Sequence, residues 1–274
     1  MIELAPAKVT LCLYVGPLRP DGYHELLSVM QSVSLADTLE LRDHSGPVDE
    51  VRCAGIEGPN LAAAAIADFR ELTGWDGPPQ LLEITKQIPV AAGLGGGSAD
   101  AAATLRLLVR RSGRGTPAQL HEIAIRLGAD VPSQLNPGRW LAEGFGDRLT
   151  RLPDPEDFGV VILPTRTMLS TKAVYAEADR LGLARSSAEL RALRDSLGAG
   201  AIEPVNDLQA PAASLDATIA DALGALEGSI VAGSGPTVVG LFPKLAEAES
   251  AAAALALTGR DAKAAGAVHN PASA

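Results

Sequence analysis

Two α+β domains with a ligand cleft between them are what the sequence predicts, and three observations predict it. Strand-like alternation and helical spacing are mixed along the chain. The length of 274 residues suits one large domain or two moderate ones and is ample for a proper core. Pro153-Asp154-Pro155 marks the best boundary, giving expected domains at 1–152 and 153–274.

In chain order, residues 2–15 alternate and read as a strand, and Pro20-Asp21-Gly22 signals a turn. Strands are expected near 28–35, 38–42 and 48–53. Asn60 caps an Ala-rich helix that ends at Gly74. A strand over 81–87 leads into a glycine-rich turn, and a helix then runs to about Val109. Thr116-Pro117-Ala118-Gln119 is a capping box with Pro at the first helical position, and Gly128 ends that helix. Pro132 biases Val131 toward an extended shape, which puts Asp130 on a stiff turn. Strands follow at 139–142 and 158–164, then helices at 171–182, 187–197, 214–227 and 244–257. Strands at 229–232, 237–242 and 262–268 are interspersed with these helices.

Composition narrows the class. Hydrophobic residues make up 47% and charged residues 20%, a globular balance; with only 3% aromatic, Leu, Val, Ile and Ala must fill the interior. A net charge of −10 argues against nucleic acid or an anionic membrane as main partner. Cys12 and Cys53 lack metal spacing and read as reduced, buried thiols. No signal-type segment or membrane-length apolar run is present, so a cytoplasmic location is expected. His44, His121 and His269 carry no spacing that suggests a metal.

The most informative stretch is Pro89-Val90-Ala91-Ala92-Gly93-Leu94-Gly95-Gly96-Gly97-Ser98-Ala99. A glycine-rich turn opening onto a helix offers unpaired N–H groups and the positive end of the helix dipole, which suits a phosphate. Glycines keep Cβ atoms out of the ligand's way and tolerate positive φ. Ser98 can cap the helix or reach a phosphate-bound metal. Other glycine motifs fit less well. A P-loop needs Lys then Ser/Thr after its last Gly, and Gly97 leads directly to Ser98. A dinucleotide fingerprint needs a third Gly at the Ser98 position. A protein kinase needs a strand Lys and His-Arg-Asp beside this turn, so Asp157-Phe158-Gly159 is an accidental match.

Five segments in order then carry a resemblance: Ala5-Pro6-Ala7-Lys8-Val9-Thr10-Leu11, Asp21-Gly22-Tyr23-His24, the glycine turn, Gly128-Ala129-Asp130-Val131-Pro132, and Gly233-Ser234-Gly235-Pro236-Thr237. Together they resemble the GHMP superfamily of small-molecule kinases over residues 3–242, and within it the members acting on a cytidylylated sugar alcohol. The resemblance implies an N-terminal domain like ribosomal protein S5 domain 2 and a ferredoxin-like C-terminal domain. It implies ATP as cosubstrate, Mg²⁺ as metal, and phosphorylation of an alcohol.

Residue by residue, it implies that Lys8 and Asp130 are catalytic and that residues 89–99 hold the phosphates, with Asn60 and Lys86 on the adenine side. Ser98 is the implied protein ligand of Mg²⁺. Thr10, Tyr23, His24, Thr171 and Tyr175 are the implied substrate contacts, and Gly233, Ser234 and Gly235 line the cleft. Thr10 stands where many members carry Asn, and a hydroxyl is shorter and bonds less than an amide. Another GHMP kinase, for homoserine, mevalonate or a sugar, is the alternative, as is a non-catalytic nucleotide-binding regulator. Asp21-Gly22-Tyr23-His24 argues against the first, and retention of both Lys8 and Asp130 against the second.

Overall fold

The computed structural model describes residues 1–268 except 57, 166 and 199–201. They form two compact units whose segments interleave along the chain: residues 1–7, 35–89 and 95–137 in the first, residues 8–34, 90–94 and the described residues from 138 onward in the second. Two long strands, β1 (Ile2–Leu18) and β2 (His24–Asp43), pair with each other and contribute residues to both units. Residues 5–16 of β1 are buried without alternation, as expected of a strand covered on both faces.

The first unit adds β3 (Glu50–Cys53), α1 (Leu61–Thr73), β4 (Gln80–Thr85), α2 (Gly96–Ser112), α3 (Pro117–Leu127) and α4 (Val131–Leu135). Its sheet is mixed: β4 runs antiparallel to the end of β2, from Thr38↔Thr85 to Asp43↔Gln80, and parallel to β3. One sheet face, carrying Leu39, Leu41, Leu82 and Ile84, joins Ala62, Ile66 and Phe69 of α1 and Ala99, Ala102 and Leu105 of α2 in one core. Asn60 caps α1 through a 2.8 Å bond from the Ala62 N–H, and the Thr116–Gln119 capping box opens α3. Both follow the sequence expectation. Val131 does not. It opens α4, because Pro132 lies in the first turn, where the N–H it lacks would have no partner anyway.

The second unit adds β5 (Arg139–Gly144), β6 (Arg148–Arg151), β7 (Gly159–Leu163), α5 (Thr171–Leu181), α6 (Ser187–Gly198), α7 (Gln209–Leu215), α8 (Ala217–Ala225), β8 (Ile230–Val231), β9 (Val238–Phe242), α9 (Leu245–Leu257) and β10 (Lys263–Gly266). β5 pairs antiparallel with the start of β2, from Leu26↔Gly144 to Gln31↔Arg139, and β6 pairs with β5. A four-stranded antiparallel sheet of order β10-β7-β9-β8 carries α9 against it through Ala248, Ala252 and Leu255. This is the ferredoxin-like sheet the sequence led us to expect. The helix expected at 214–227 is divided at Asp216, whose carboxylate accepts from the Thr218 N–H and starts α8 afresh. Cys12 is buried and unbridged, and burial pushes its thiol up to about 11, well away from nucleophilic use. Among the described residues, no helix is long and apolar enough to cross a membrane.

Candidate active site

β4 ends at Thr85, and residues 89–94 turn the chain into α2. Gly95 occupies the N-cap in the left-handed region (φ 68°), and no side chain caps the helix. The first-turn N–H groups of Gly96, Gly97 and Ser98 therefore have no intrahelical acceptor. Gly97 is exposed, and a Cβ there would meet only Leu61 Cδ1, at 3.8 Å. Ala91 also lies at positive φ (55°), a conformation a non-glycine residue adopts at a cost of about 1–3 kcal/mol. Val90 is exposed, whereas Ala92, Leu94 and Ala99 are buried and hold the turn down. Bare amides, the helix dipole and missing side chains fit a triphosphate. For a divalent metal the donor set is sparse: among the described residues no cluster of three His, Cys, Asp or Glu forms, so Ser98 is the hydroxyl at hand. His269 lies outside the described residues.

Just before this turn in the chain, Lys86 is bound between two carboxylates, Asp37 and Asp100, the latter at 2.7 Å. Burial would lower the Lys86 pKa, but its hydrogen bonds to the two acids outweigh that and raise it. Burial pushes the Asp100 carboxyl up, to about 7, against the lowering effect of Lys86. Asn60 spends its side-chain oxygen on the α1 cap. Asp130 sits at the head of α4 with a right-handed backbone (φ −84°) and no capping bond from its side chain. Its carbonyl accepts from Ser133 Oγ at 2.9 Å, and buried Val131 and Pro132 fix the turn.

In the second unit Lys8 is buried in β1, and its N–H donates to Leu94 O at 3.0 Å. A Cβ on Gly93 (φ 75°) would fall 2.6 Å from Ala232 O and 2.8 Å from Gly235 O. One on Gly233 would lie 3.8 Å from Lys8 Nζ, 3.9 Å from Thr10 Oγ1 and 3.7 Å from Gly93 O. Lys8, Thr10, Gly93 and the 233–235 turn therefore lie close together. Asn206 holds the last of these by donating to Val231 O and Gly233 O, both at 2.7 Å. No spacing in the sequence singles out Asn206. Thr171 Oγ1 bonds Ser234 Oγ at 2.9 Å.

Tyr23 is 61% exposed, so its ring is available for stacking. It is backed by Phe145 at 5.5 Å between ring centroids, and its N–H donates to Asp21. His24 is buried. Its Nδ1 must carry a proton, because it lies 2.8 Å from Gly16 O, which can only accept. Its Nε2 lies 3.1 Å from the Asp179 carboxylate, and Tyr175 stacks on the ring at 5.5 Å and 25°. Tyr175 is thus brought to His24, while Asp179 and Phe145 are additions the sequence did not reveal.

Comparisons with known proteins agree with this architecture. The N-terminal domain family of GHMP kinases matches residues 60–138. The 4-diphosphocytidyl-2-C-methyl-D-erythritol kinase of Anaeromyxobacter sp. (strain K) is 40% identical over 276 residues, covering 95% of this chain and 86% of that protein. The enzyme of the same name from Pelotomaculum thermopropionicum is 40% identical, covering 91% and 92%. A crystal structure of 4-(cytidine 5'-diphospho)-2C-methyl-D-erythritol kinase superposes with a TM-score of 0.82 at 33% identity, over 98% of this chain and 100% of that one. A homoserine kinase from Cytophaga hutchinsonii shares the fold alone, with a TM-score of 0.72 at 17% identity. Identity near 40% over nearly the whole length settles the lineage: the chain belongs to the 4-diphosphocytidyl-2-C-methyl-D-erythritol kinase family of the GHMP kinases.

Proposed function

We infer that the protein transfers the γ-phosphoryl group of ATP to the 2-hydroxyl of 4-diphosphocytidyl-2-C-methyl-D-erythritol, giving the 2-phosphate and ADP. The step belongs to non-mevalonate isoprenoid precursor biosynthesis. The observation that carries the reading is the uncapped N-terminus of α2 behind a glycine turn, in a chain sharing 40% identity with kinases of that name.

Residues 89–99 cradle the triphosphate through main-chain N–H groups, with the amide nitrogen of Asn60 on the adenine side. Ser98, together with the phosphates, would hold Mg²⁺, which when bound would supply charge neutralisation. The substrate hydroxyl oxygen bonds to the γ-phosphorus as the bridging β–γ oxygen leaves with ADP. Asp130 orients that hydroxyl and takes its proton. An alcohol is a far weaker acid than a carboxylic acid, so the proton moves late, as the new P–O bond forms. Lys8 offsets charge on the transferring group. Its burial beside Gly233 and Thr10 supports that role.

The exposed Tyr23 ring offers a face for the cytosine, and His24 and Tyr175 form the neighbouring wall, with Thr171 and Thr10 as further polar contacts. Truncation of His24 to Ala is expected to raise KM for the cytidylylated substrate about tenfold, because the ring that stacks with Tyr175 and is held by Gly16 O is lost from the wall. KM for ATP should not move; an unaltered KM for the alcohol would remove His24 from recognition. Gly93→Ala should cost about 1–3 kcal/mol of stability through its left-handed backbone alone. The Cβ also collides with the 232–235 turn, so KM for ATP should rise with it. Normal melting and normal KM would show that the turn tolerates displacement.

A coupled ADP-release assay over a panel of alcohols tests the whole assignment. Release only with the cytidylylated methylerythritol is the expected result. Release with homoserine, mevalonate or a sugar would reassign the substrate, and tight ATP binding without release would make the chain a regulator.

A further inference from the structure

We propose that Asp37, Lys86 and Asp100 form a buried anchor that sets the phosphate turn in its binding shape before nucleotide arrives, with Asp37 as its principal positioning residue. This deepens the kinase reading and rests on it. The β2–β4 ladder ends at the pair Thr38↔Thr85. One position beyond, the fully buried Asp37 carboxylate takes over as acceptor. Its Oδ1 receives the N–H groups of Gln87 at 2.6 Å and Ile88 at 2.9 Å, the residues that lead into the turn.

The other Asp37 oxygen binds Lys86 Nζ, which donates in turn to Asp100 Oδ2 at 2.7 Å. Asp100 is in the second turn of α2, so a single ammonium ties β2, the end of β4 and the helix together. The helix start is held too. A Cβ on Gly96 would come 3.3 Å from Lys86 Nζ and 3.1 Å from Ile88 Cγ2, so the first helical residue lies directly over the anchor. Side-chain charges buried in this way contribute little net stability, because desolvation offsets their attraction. What they do fix is direction: three backbone segments meet at set distances, and the amides of Gly96, Gly97 and Ser98 follow from them. Lys86 then acts through the backbone instead of by the direct adenine-side contact that the family resemblance implied.

Hydrogen exchange at the Gln87 and Ile88 amides of the nucleotide-free protein separates the two roles. The anchor predicts strong protection in the parent. Exchange should be faster by about 10–10²-fold in Asp37→Asn and in Lys86→Met, the loss expected for hydrogen bonds to a buried charge. Leu82 and Ile84 amides in β4 report whether the fold is intact. Lys86→Arg should restore protection. In the kinase assay, Asp37→Asn should raise KM for ATP about tenfold and leave KM for the alcohol substrate unchanged. Unchanged exchange at 87 and 88 in a folded Asp37→Asn protein overturns the proposal. So does unchanged exchange in Lys86→Met with a raised KM for ATP, which would make Lys86 a direct ligand. If Asp37→Asn does not fold, Asp100→Asn read in the same way decides it, with faster exchange expected and unchanged exchange contradicting. A parent that releases no ADP with any alcohol would defeat the kinase reading, while the exchange results would still judge the anchor.

Discussion

Asp130→Asn is expected to lower kcat by about 10²–10⁴-fold, the usual worth of a positioned general base. The amide keeps the shape of the carboxyl and can still accept a hydrogen bond, so the alcohol should bind nearly as before. It cannot take the proton that must leave as the new P–O bond forms. KM for ATP should change little, because the amides at the start of α2 hold the phosphates and Asp130 heads a different helix. The short α4 is secured by buried Val131 and Pro132 and by the Ser133 bond to the Asp130 carbonyl, none of which uses the carboxyl. Folding should therefore survive. Single-turnover measurements make the distinction clean, since they separate chemistry from product release. A variant with near-normal turnover would remove Asp130 from the mechanism and leave catalysis to positioning alone.

Lys8→Met is the second large effect, a fall of about 10²–10³-fold in kcat, typical of removing one preorganised charge from a phosphoryl or oxyanion site. Methionine is chosen because it keeps an unbranched apolar stem in the buried β1 position and leaves the Lys8 N–H bond to Leu94 O in place. The loss should appear in the chemical step, with cooperative melting retained. If kcat stays near the parent value, the ammonium has no part in stabilising the transferring group, and its burial beside Gly233 is structural.

How much of this could be read in the sequence depended on whether a signal was local. The Thr116–Gln119 capping box, the Asn60 cap and the glycine turn are local chemistry, and each appears where its residues stand. The strands expected at 28–35 and 38–42 are one strand, β2, which carries on through Ala36 and Asp37. The gap between the two expected strands falls at Ala36 and Asp37. Asp37 is fully buried because Lys86 and two backbone amides, about 50 positions away, are its partners. Asn206, Phe145 and Asp179 were invisible for the same reason, since each works through a partner remote in sequence. The five-residue α4 was missed because Pro132 disfavours a helical residue before it, except at a helix start, and that exception applies here.

The most direct test is an amide-resolved NMR titration of the protein with a non-hydrolysable ATP analogue and Mg²⁺. Convergence of the triphosphate on the turn predicts the largest shifts at the N–H groups of residues 93–98, with the same amides responding only at about tenfold higher nucleotide in the Asp37→Asn variant. Saturable nucleotide binding that leaves those six positions unmoved would contradict the account.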